Sequence, residues 1–395
     1  MHAKHKKRVA LIGMPILMAQ SPFNAALIRY AEVKGHWVFA FAMPACHEAF
    51  CLLRQLDCEG AIVRVISPKM AREARLLRIP VVNTSSWMED SGVPTVKRDD
   101  VAMGTLSAEH LLEKGFRRFG IVRLPGGHYI DVRCQAFRQA VARAGHGEGI
   151  HEFILGSNPI TPREQHRFQE WVASLNAPAG LFLSDDEQAG VLMDICRAAG
   201  YRIPQDIAVV AAFYHVETAA TCVPSLSAVR ENLDELAWRA AETLDELMAG
   251  RKLGEKAIII PPLGLVAAES TRTLAIDDPE VARAVEYMRA NAASAINVGD
   301  VVGHGLVSRT TLERRFRLVM GCAMHDFLLQ ERLELAKECL MSTPRLSLDV
   351  VASRCGLSTR KRLNVLFRKE LRQSPAKWRR QALRSAAKQP PGTGR

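Results

Sequence analysis

From Arg8 to about Ile260, short apolar runs alternate with amphipathic stretches. The short runs are rich in β-branched residues, and most are continuously apolar, as expected for strands that are covered on both faces of a sheet. The predicted strands are Val9 to Gly13, Trp37 to Ala42, Gly60 to Ile66, Pro80 to Thr84, Phe119 to Leu124, Gly180 to Ser184 and Ile207 to Phe213. This alternation predicts an α/β fold with parallel strands joined by right-handed crossovers.

Glycines mark the ends of two predicted helices in this region. Val101 to Lys114 is followed by Gly115, and Glu187 to Ala199 is followed by Gly200. A glycine directly after a helix is typical of a left-handed helix stop. Seven or more strand and helix units exceed one small domain, so we expect two lobes with a ligand cleft at the carboxyl ends of the strands.

The pattern changes between Pro261 and Asp278, where a Pro-Pro pair and a polar stretch predict a domain boundary. Beyond it no strand-like run occurs, and the periodicity is helical throughout. The predicted helices are Glu280 to Asn291, Val298 to Gly303, Arg309 to Val319, Met324 to Met341, Leu348 to Cys355, Thr359 to Leu371 and Pro375 to about Ser385.

Within this helical region, one layout occurs twice at an interval of about fifty residues. Each copy has a short helix, a turn that contains glycine, a serine (Ser308 or Ser358) and a longer helix. A serine at the N-cap satisfies the first free amides of the helix, whose opening turn can then face a major groove of DNA. The sequence therefore predicts two helix-turn-helix units, spaced by a helix of roughly 28 Å at 1.5 Å per residue.

The longer helix of each copy has a predicted buried face and a predicted reading face. Leu312, Phe316 and Val319 form the buried stripe of the first helix, and Leu363, Leu366 and Phe367 that of the second. Arginine and asparagine suit bidentate contacts to guanine and adenine, whereas lysine suits phosphates. The candidate DNA-binding residues are Ser308, Arg309, Thr310, Arg314, Arg317, Ser358, Thr359, Arg360, Lys361, Arg362, Asn364 and Arg368.

The charge distribution supports this interpretation. The formal net charge of the 395 residues is +11, and the stretch from Asp277 to Arg395, with 22 Lys and Arg against 12 Asp and Glu, contributes +10 of it. A basic module beside a near-neutral body is the pattern expected when only one of the two meets phosphates.

The nine cysteines form no C-x-x-C pair, and the closest three, Cys46, Cys51 and Cys58, lack a paired Cys/His spacing, so we expect buried reduced thiols and no metal. Free thiols suit the cytoplasm, and no apolar run reaches the length of a membrane span. The basic start followed by Val9 to Gly13 resembles a secretion signal, but it also fits a first buried strand, which we favour.

Enzyme motifs are absent from the sequence. It has no G-x-S-x-G, no H-E-x-x-H and no phosphate-cradling glycine-rich loop, and Gly126-Gly127 is more typical of a loop than of a cofactor site. We therefore expect neither catalysis nor a cofactor.

A longer motif runs through the second helix-turn-helix unit, as Ala352-x-x-Cys355-Gly356-Leu357-Ser358, Leu363, Phe367-Arg368-Lys369 and Ser374-Pro375. In these residues the C-terminal region resembles the AraC/XylS family of transcription regulators, over about 115 residues. The sequence departs from the family at Leu357 and Leu363, which are more often Phe, and at Arg362, which is often Tyr. The resemblance implies a DNA-binding domain with two helix-turn-helix units.

The preceding region resembles the sugar-binding core of LacI/GalR-type regulators, which is related to periplasmic binding proteins. The combined resemblance implies an effector and dimerisation domain at 1–268, a linker at 269–280, a DNA-binding domain at 281–385 and a disordered tail at 386–395. It also implies effector-binding residues at Asp99, Arg133 and Asp186. Phe213 and Tyr214, two further candidate effector-binding residues, stand where the family has Gly-x-Asp, and the Met14 to Phe23 loop lacks the usual charged residue.

The expected function is that of a homodimeric, sequence-specific regulator that binds double-stranded DNA and a small effector such as a xylose-like sugar, with RNA polymerase as a further candidate partner. Two alternatives remain open at this point. One is a sugar-handling protein whose basic domain binds RNA or an acidic partner, and the other is a constitutive regulator with a degenerate effector pocket.

Overall fold

The computed structural model describes residues 6–13, 21–35, 37–156, 159–251, 257–273, 275–276, 278–343 and 346–388. The chain divides into two compact units, Met1–Ala275 and Ile276–Arg395. Within the described part, every helix is too short or too polar to cross a bilayer.

The first unit contains two parallel-sheet lobes. The sheet of lobe 1 has the strand order β11-β5-β4-β3-β1-β2. Its strands are β1 Lys7–Ile12, β2 Trp37–Met43, β3 Gly60–Val63, β4 Val81–Asn83, β5 Thr95–Arg98 and β11 Ala257–Ile260. Helices α1 Pro22–Tyr30 and α9 Leu233–Met248 pack on one face, and α2 His47–Leu53 and α3 Pro68–Leu76 pack on the other.

Lobe 2 repeats this plan with the strand order β12-β10-β9-β8-β6-β7. Its strands are β6 Phe119–Arg123, β7 Ile150–Ile154, β8 Ala179–Leu183, β9 Ile207–Ala211, β10 Ser227–Arg230 and β12 Gly264–Val266. Helices α4 Asp100–Glu113 and α5 His128–Arg143 cover one face, and α6 Pro162–Ser174 and α7 Ala189–Ala198 cover the other, while the short α8 Val216–Thr221 follows β9. All pairings are parallel except that of β12 with β10.

Three crossover segments join the lobes, and they are bonded to one another. The first lies between β5 and α4, the second between β10 and α9, and the third between β11 and β12. The Asp99 amide donates to the Ile260 carbonyl oxygen (2.9 Å), and the Leu263 amide donates to that of Arg230 (2.8 Å). Arg98 Nη1 donates to Glu231 Oε1 at 2.5 Å. The three segments therefore form one connected hinge.

The second unit is helical throughout its described residues. Its helices are α10 Pro279–Asn291, α11 Val298–Gly303, α12 Arg309–Met320, α13 Met324–Ser342, α14 Leu348–Arg354, α15 Arg360–Leu371 and α16 Pro375–Lys388. Leu333, Ala336 and Leu340 of α13 share one core with the buried residues of α14 and α15. Residues 389–395 of the predicted tail lie outside the described residues, and 386–388 belong to α16.

The predicted α/β fold and the helical C-terminal unit are confirmed. Gly115 and Gly200 have positive φ, as helix stops require. The segment 261–278, for which the sequence predicts a domain boundary, includes the division after Ala275 and also contains β12 and a short 3-10 helix at Glu269–Thr271. The prediction that Val319 of α12 is buried is wrong, since its side chain is 45% exposed. The buried residues of α12 are Leu312 and Phe316.

Candidate functional site

The first helix-turn-helix unit is formed by α11 and α12. Ser308 is the N-cap of α12, as predicted, and its Oγ accepts from the Thr311 amide at 3.3 Å. Leu312 and Phe316 are buried, which turns the opposite face of α12 to solvent. That face carries four predicted reading residues, Arg309, Thr310, Arg314 and Arg317, all exposed.

The second unit is formed by α14 and α15, and here the predicted cap is wrong by one residue. Thr359, not Ser358, is the N-cap, and its Oγ1 accepts from the Arg362 amide at 3.3 Å. Ser358 Oγ instead accepts from Arg362 Nη1 at 3.1 Å. Both the Ser358 and the Thr359 hydroxyl can cap a helix. Thr359 caps α15 because Ser358 still belongs to the turn that precedes it.

The reading face of α15 is strongly cationic. Leu363, Leu366 and Phe367 are buried as predicted. A shallow concave patch on the opposite face is lined by Arg360, Lys361, Asn364, Val365 and Arg368. Among the described residues, no carboxylate lies within ion-pair distance of Arg314, Arg317, Arg360, Lys361 or Arg368. These charges are therefore available to nucleic acid.

The sequence analysis missed two residues, Arg332 and Gly356. They hold α13 and the turn before α15 against the segment that follows α10. Arg332 of α13 is 8% exposed and donates to the carbonyl oxygens of Ala292 (3.1 Å), Ser294 (2.9 Å) and Ile296 (2.8 Å). Gly356, in the turn before α15, lies so close that a Cβ would stand 2.3 Å from the Ala292 oxygen. An arginine in an otherwise apolar helical stripe was the only sequence signal for this contact.

The second candidate site is the cleft between the two lobes of the first unit, with Arg133 at its centre. Arg133 is fully buried, and its guanidinium donates to Asp100 Oδ1 at 2.8 Å and to the Ser184 carbonyl oxygen at 3.0 Å. A carboxylate oxygen of Asp185 lies 3.6 Å away. The guanidinium also stacks over the rings of Tyr129 (4.7 Å) and Phe213 (5.9 Å).

The other predicted effector residues occupy different environments. Asp99 caps α4 by accepting from the Ala102 amide at 2.8 Å. Asp186 is fully buried and accepts from the amide and Nδ1 of His215 at 2.8 and 2.9 Å, which fixes the loop after β9. Tyr214 packs against the core of lobe 2. The structure thus brings Arg133 and Phe213 together but assigns Asp99 and Asp186 contacts within the protein.

Residues of both lobes meet across this cleft. The His128 amide donates to the Trp87 carbonyl oxygen at 2.7 Å, and the Tyr129 amide donates to that of Ser86 at 3.2 Å. A Cβ on Gly127 would lie 2.4 Å from the Trp87 oxygen, so glycine permits this close approach. The tryptophan and tyrosine rings are 6.0 Å apart. The lobes are therefore in contact beside Arg133.

Burial changes the acid–base properties of the cleft. Burial raises the pKa of Asp185 to about 6, against the opposing effect of Arg133. Burial alone would lower the pKa of His215, but the hydrogen bond to Asp186 raises it above its ordinary value. The cleft thus contains one carboxyl group, that of Asp185, that changes charge near pH 6.

Substituting Asp185 with asparagine is expected to remove a pH dependence of stability. Because the folded pKa of about 6 exceeds an unfolded value near 3.9, ionised Asp185 disfavours folding above pH 6, and protonation relieves this cost as the pH falls. When the pH is lowered from 7.5 to 5, the free energy of unfolding of the wild type should therefore rise by about 1 kcal/mol relative to that of Asp185→Asn. Urea unfolding at the two pH values measures it, and an unchanged difference would contradict it.

The described residues include a trio with ligand atoms within 4.8 Å of one another, His47, Cys51 and Glu73. Glu73 is already paired with Arg54, so the trio does not offer three free ligands. The nine cysteines are free thiols, five of them buried.

Comparison with family models divides the chain as the geometry does. Residues 108–271 match a periplasmic binding protein-like domain, and residues 306–381 match a helix-turn-helix domain. Among curated proteins, the xylose operon regulatory protein of Haemophilus influenzae is 26% identical over 334 residues, covering 83% of this chain and 86% of that protein. That of Escherichia coli K12 is 26% identical over 308 residues, covering 76% and 78%.

Solved structures agree in fold. A xylose-binding transcription activator superposes with a TM-score of 0.69 at 22% identity, covering 95% of this chain and 98% of that one. The lac repressor dimer bound to operator superposes with a TM-score of 0.54 at 18% identity, covering 69% and 96%. The two curated relatives are both named as regulatory proteins.

Proposed function

We propose that this homologue of the xylose operon regulatory proteins, which joins a periplasmic-binding-protein-like domain to an AraC-type helix-turn-helix domain, is a sequence-specific transcription regulator controlled by a sugar-type effector. The observation that carries the proposal is the cationic face of α15, whose arginines and Asn364 have no acidic partner in the described part of the chain and whose other face is core. Carbohydrate-utilisation genes are its proposed targets.

The proposed mechanism links the cleft to DNA through two conformations of the first unit. An effector shifts DNA affinity only if it binds one conformation more tightly than the other. The cleft supplies the means, because residues of both lobes line it and one connected hinge joins them. We propose that the chain acts as a homodimer, so that this change alters the spacing of two DNA-binding domains on paired half-sites.

The test is the loss of specific DNA binding when reading arginines are removed. A preferred duplex is first selected from a random pool with the full chain. Arg314→Ala and Arg360→Ala should each weaken binding to it by about 10- to 100-fold, the equivalent of about 1–3 kcal/mol, if each reads a base. Fluorescence anisotropy measures both affinities.

The control is Arg143→Gln, which removes an exposed positive charge at the end of α5 in the first unit. It should leave the affinity for the selected duplex unchanged. Affinity should also fall steeply with salt concentration, because bound arginines and lysines displace counterions from the phosphates. Wild-type affinity in both reading variants would refute the assignment of α12 and α15 as reading helices.

A further inference from the structure

The positive charge of Arg64 belongs to neither the DNA-binding face nor the ion pairs of the cleft. It directly follows β3, and its amide donates to the Ile12 carbonyl oxygen at 2.8 Å. The stem of its side chain lies against Gly13, where a Cβ would stand 2.7 Å from the Arg64 Cβ. Gly13 also has a φ of +85°, so the end of β1 suits this contact only as glycine.

The charged end of Arg64 lies in the inter-lobe cleft. The side chain is exposed to solvent, yet it interacts electrostatically with Arg98 and Glu231 of the hinge and with Tyr129 and Asp185 of lobe 2. An arginine on a convex surface would not face groups from three parts of the domain. Exposure combined with such neighbours places the guanidinium in a part of the cleft that is open to solvent.

Unlike the other arginines of this cleft, Arg64 has no counter-ion among the described residues. Arg98 pairs with Glu231 at 2.5 Å, and Arg133 pairs with Asp100 at 2.8 Å. The side chain of Arg64 forms neither a hydrogen bond nor an ion pair with any described residue. Residues 14–20, which follow Gly13 in the sequence and lie outside the described residues, contain no Asp or Glu.

A cleft arginine that is open to solvent and has no ion pair among the described residues favours an anionic ligand. Arg98 lies near enough to repel Arg64, Glu231 and Asp185 offset part of that repulsion, and a bound anion would offset more of it. A planar guanidinium binds carboxylate or phosphate oxygens in bidentate geometry, with more energy than a neutral hydroxyl provides. Trp87, Tyr129 and Phe213 supply apolar faces for the rest of a small ligand.

We propose that Arg64 binds an anionic group of the effector, so that the cleft takes a sugar derivative with a carboxylate or phosphate in preference to the neutral sugar. This inference rests on the proposed function, in which the cleft binds the effector. It names the chemical class of that effector and gives Arg64 the role of an effector-binding residue.

Three probes with one carbon skeleton test the proposal on the full chain: D-xylose, D-xylonate and D-xylose 5-phosphate. Calorimetric titration should show at least one anion binding 10-fold or more tightly than xylose, and which anion does so distinguishes carboxylate from phosphate. Arg64→Gln should weaken that anion at least 10-fold with little effect on xylose, and Arg64→Lys should retain part of the affinity.

Two controls separate binding from a structural role. Arg143→Gln has the same loss of charge away from the cleft and should bind every probe like the wild type. The melting temperature of ligand-free Arg64→Gln should not fall, because the side chain makes no intramolecular pair among the described residues.

The inference is overturned if xylose binds as tightly as both anions, if Arg64→Gln binds the anions like the wild type, or if none of the three probes binds. The proposed function fails separately, if the chain prefers no duplex sequence. A chain that responds to xylose on its selected duplex while ignoring both anions would keep the function and lose this inference.

Discussion

Replacing Gly356 with alanine is expected to destabilise the C-terminal unit by about 3 kcal/mol or more and to abolish sequence-specific DNA binding. Gly356 has a φ of +66°, a conformation that costs other residues about 1–2 kcal/mol. The new methyl group would also stand 2.3 Å from the Ala292 oxygen and 2.5 Å from that of Ser294. Since both contacts are with backbone, relief requires the turn before α15 to move, and the reading face moves with it.

Gly321, at the end of α12, provides a matched control. Its φ is +68°, yet a Cβ there would meet nothing within 4 Å. Gly321→Ala should therefore cost only the conformational penalty of about 1–2 kcal/mol. Hydrogen exchange over residues 279–388 of the full chain compares the two variants, and equal protection in both would show that the Gly356 contact with residues 292–294 is unimportant.

Replacing Arg133 with methionine is expected to cost the first unit about 3–5 kcal/mol, because breaking a buried ion pair leaves a buried charge uncompensated. Asp100, 6% exposed, would lose its partner, and Asp185 would lose the nearest positive charge. The Ser184 carbonyl oxygen would lose a donor as well. Thermal unfolding of the full chain measures the loss as a lower midpoint of the transition assigned to the first unit.

Arg138, one turn further along α5, tests whether the effect is specific to the buried pair. It forms an exposed ion pair with Glu152, and such pairs contribute at most about 1 kcal/mol, so Arg138→Met should be nearly neutral. Adding Asp100→Asn to Arg133→Met should recover much of the stability by removing the stranded charge. A double variant no more stable than the single one would mean that lost packing, and not charge, causes the effect.

The two lobes could be predicted because most of their central strands are continuously apolar. The strands that escaped prediction lie at edges or next to the hinge, where that signal fails. β7, IHEFI, pairs only with β6 and exposes His151 and Glu152. β5, TVKR, ends in the arginine that reaches Glu231. Polar residues in these strands meet solvent or a distant partner, and neither produces a local apolar run.

The residues of the candidate sites show the same difference between local and long-range signals. Ser308, Leu363 and Phe367 follow from local rules of capping and helical periodicity, and the structure agrees with them. Arg64 and Arg332 act through contacts with segments 36 or more residues away, or with the opposite lobe. Such pairings depend on the folded arrangement, so a single sequence can show an arginine among apolar positions but cannot show its distant partner.

The bonds among the three crossover segments limit how the two lobes can move. A segment free of its neighbours could twist by itself, and the lobes would then sample many relative orientations. Here each segment is bonded to another, so a rotation that bends one must bend all. We therefore expect the two lobes to open and close mainly along one coordinate.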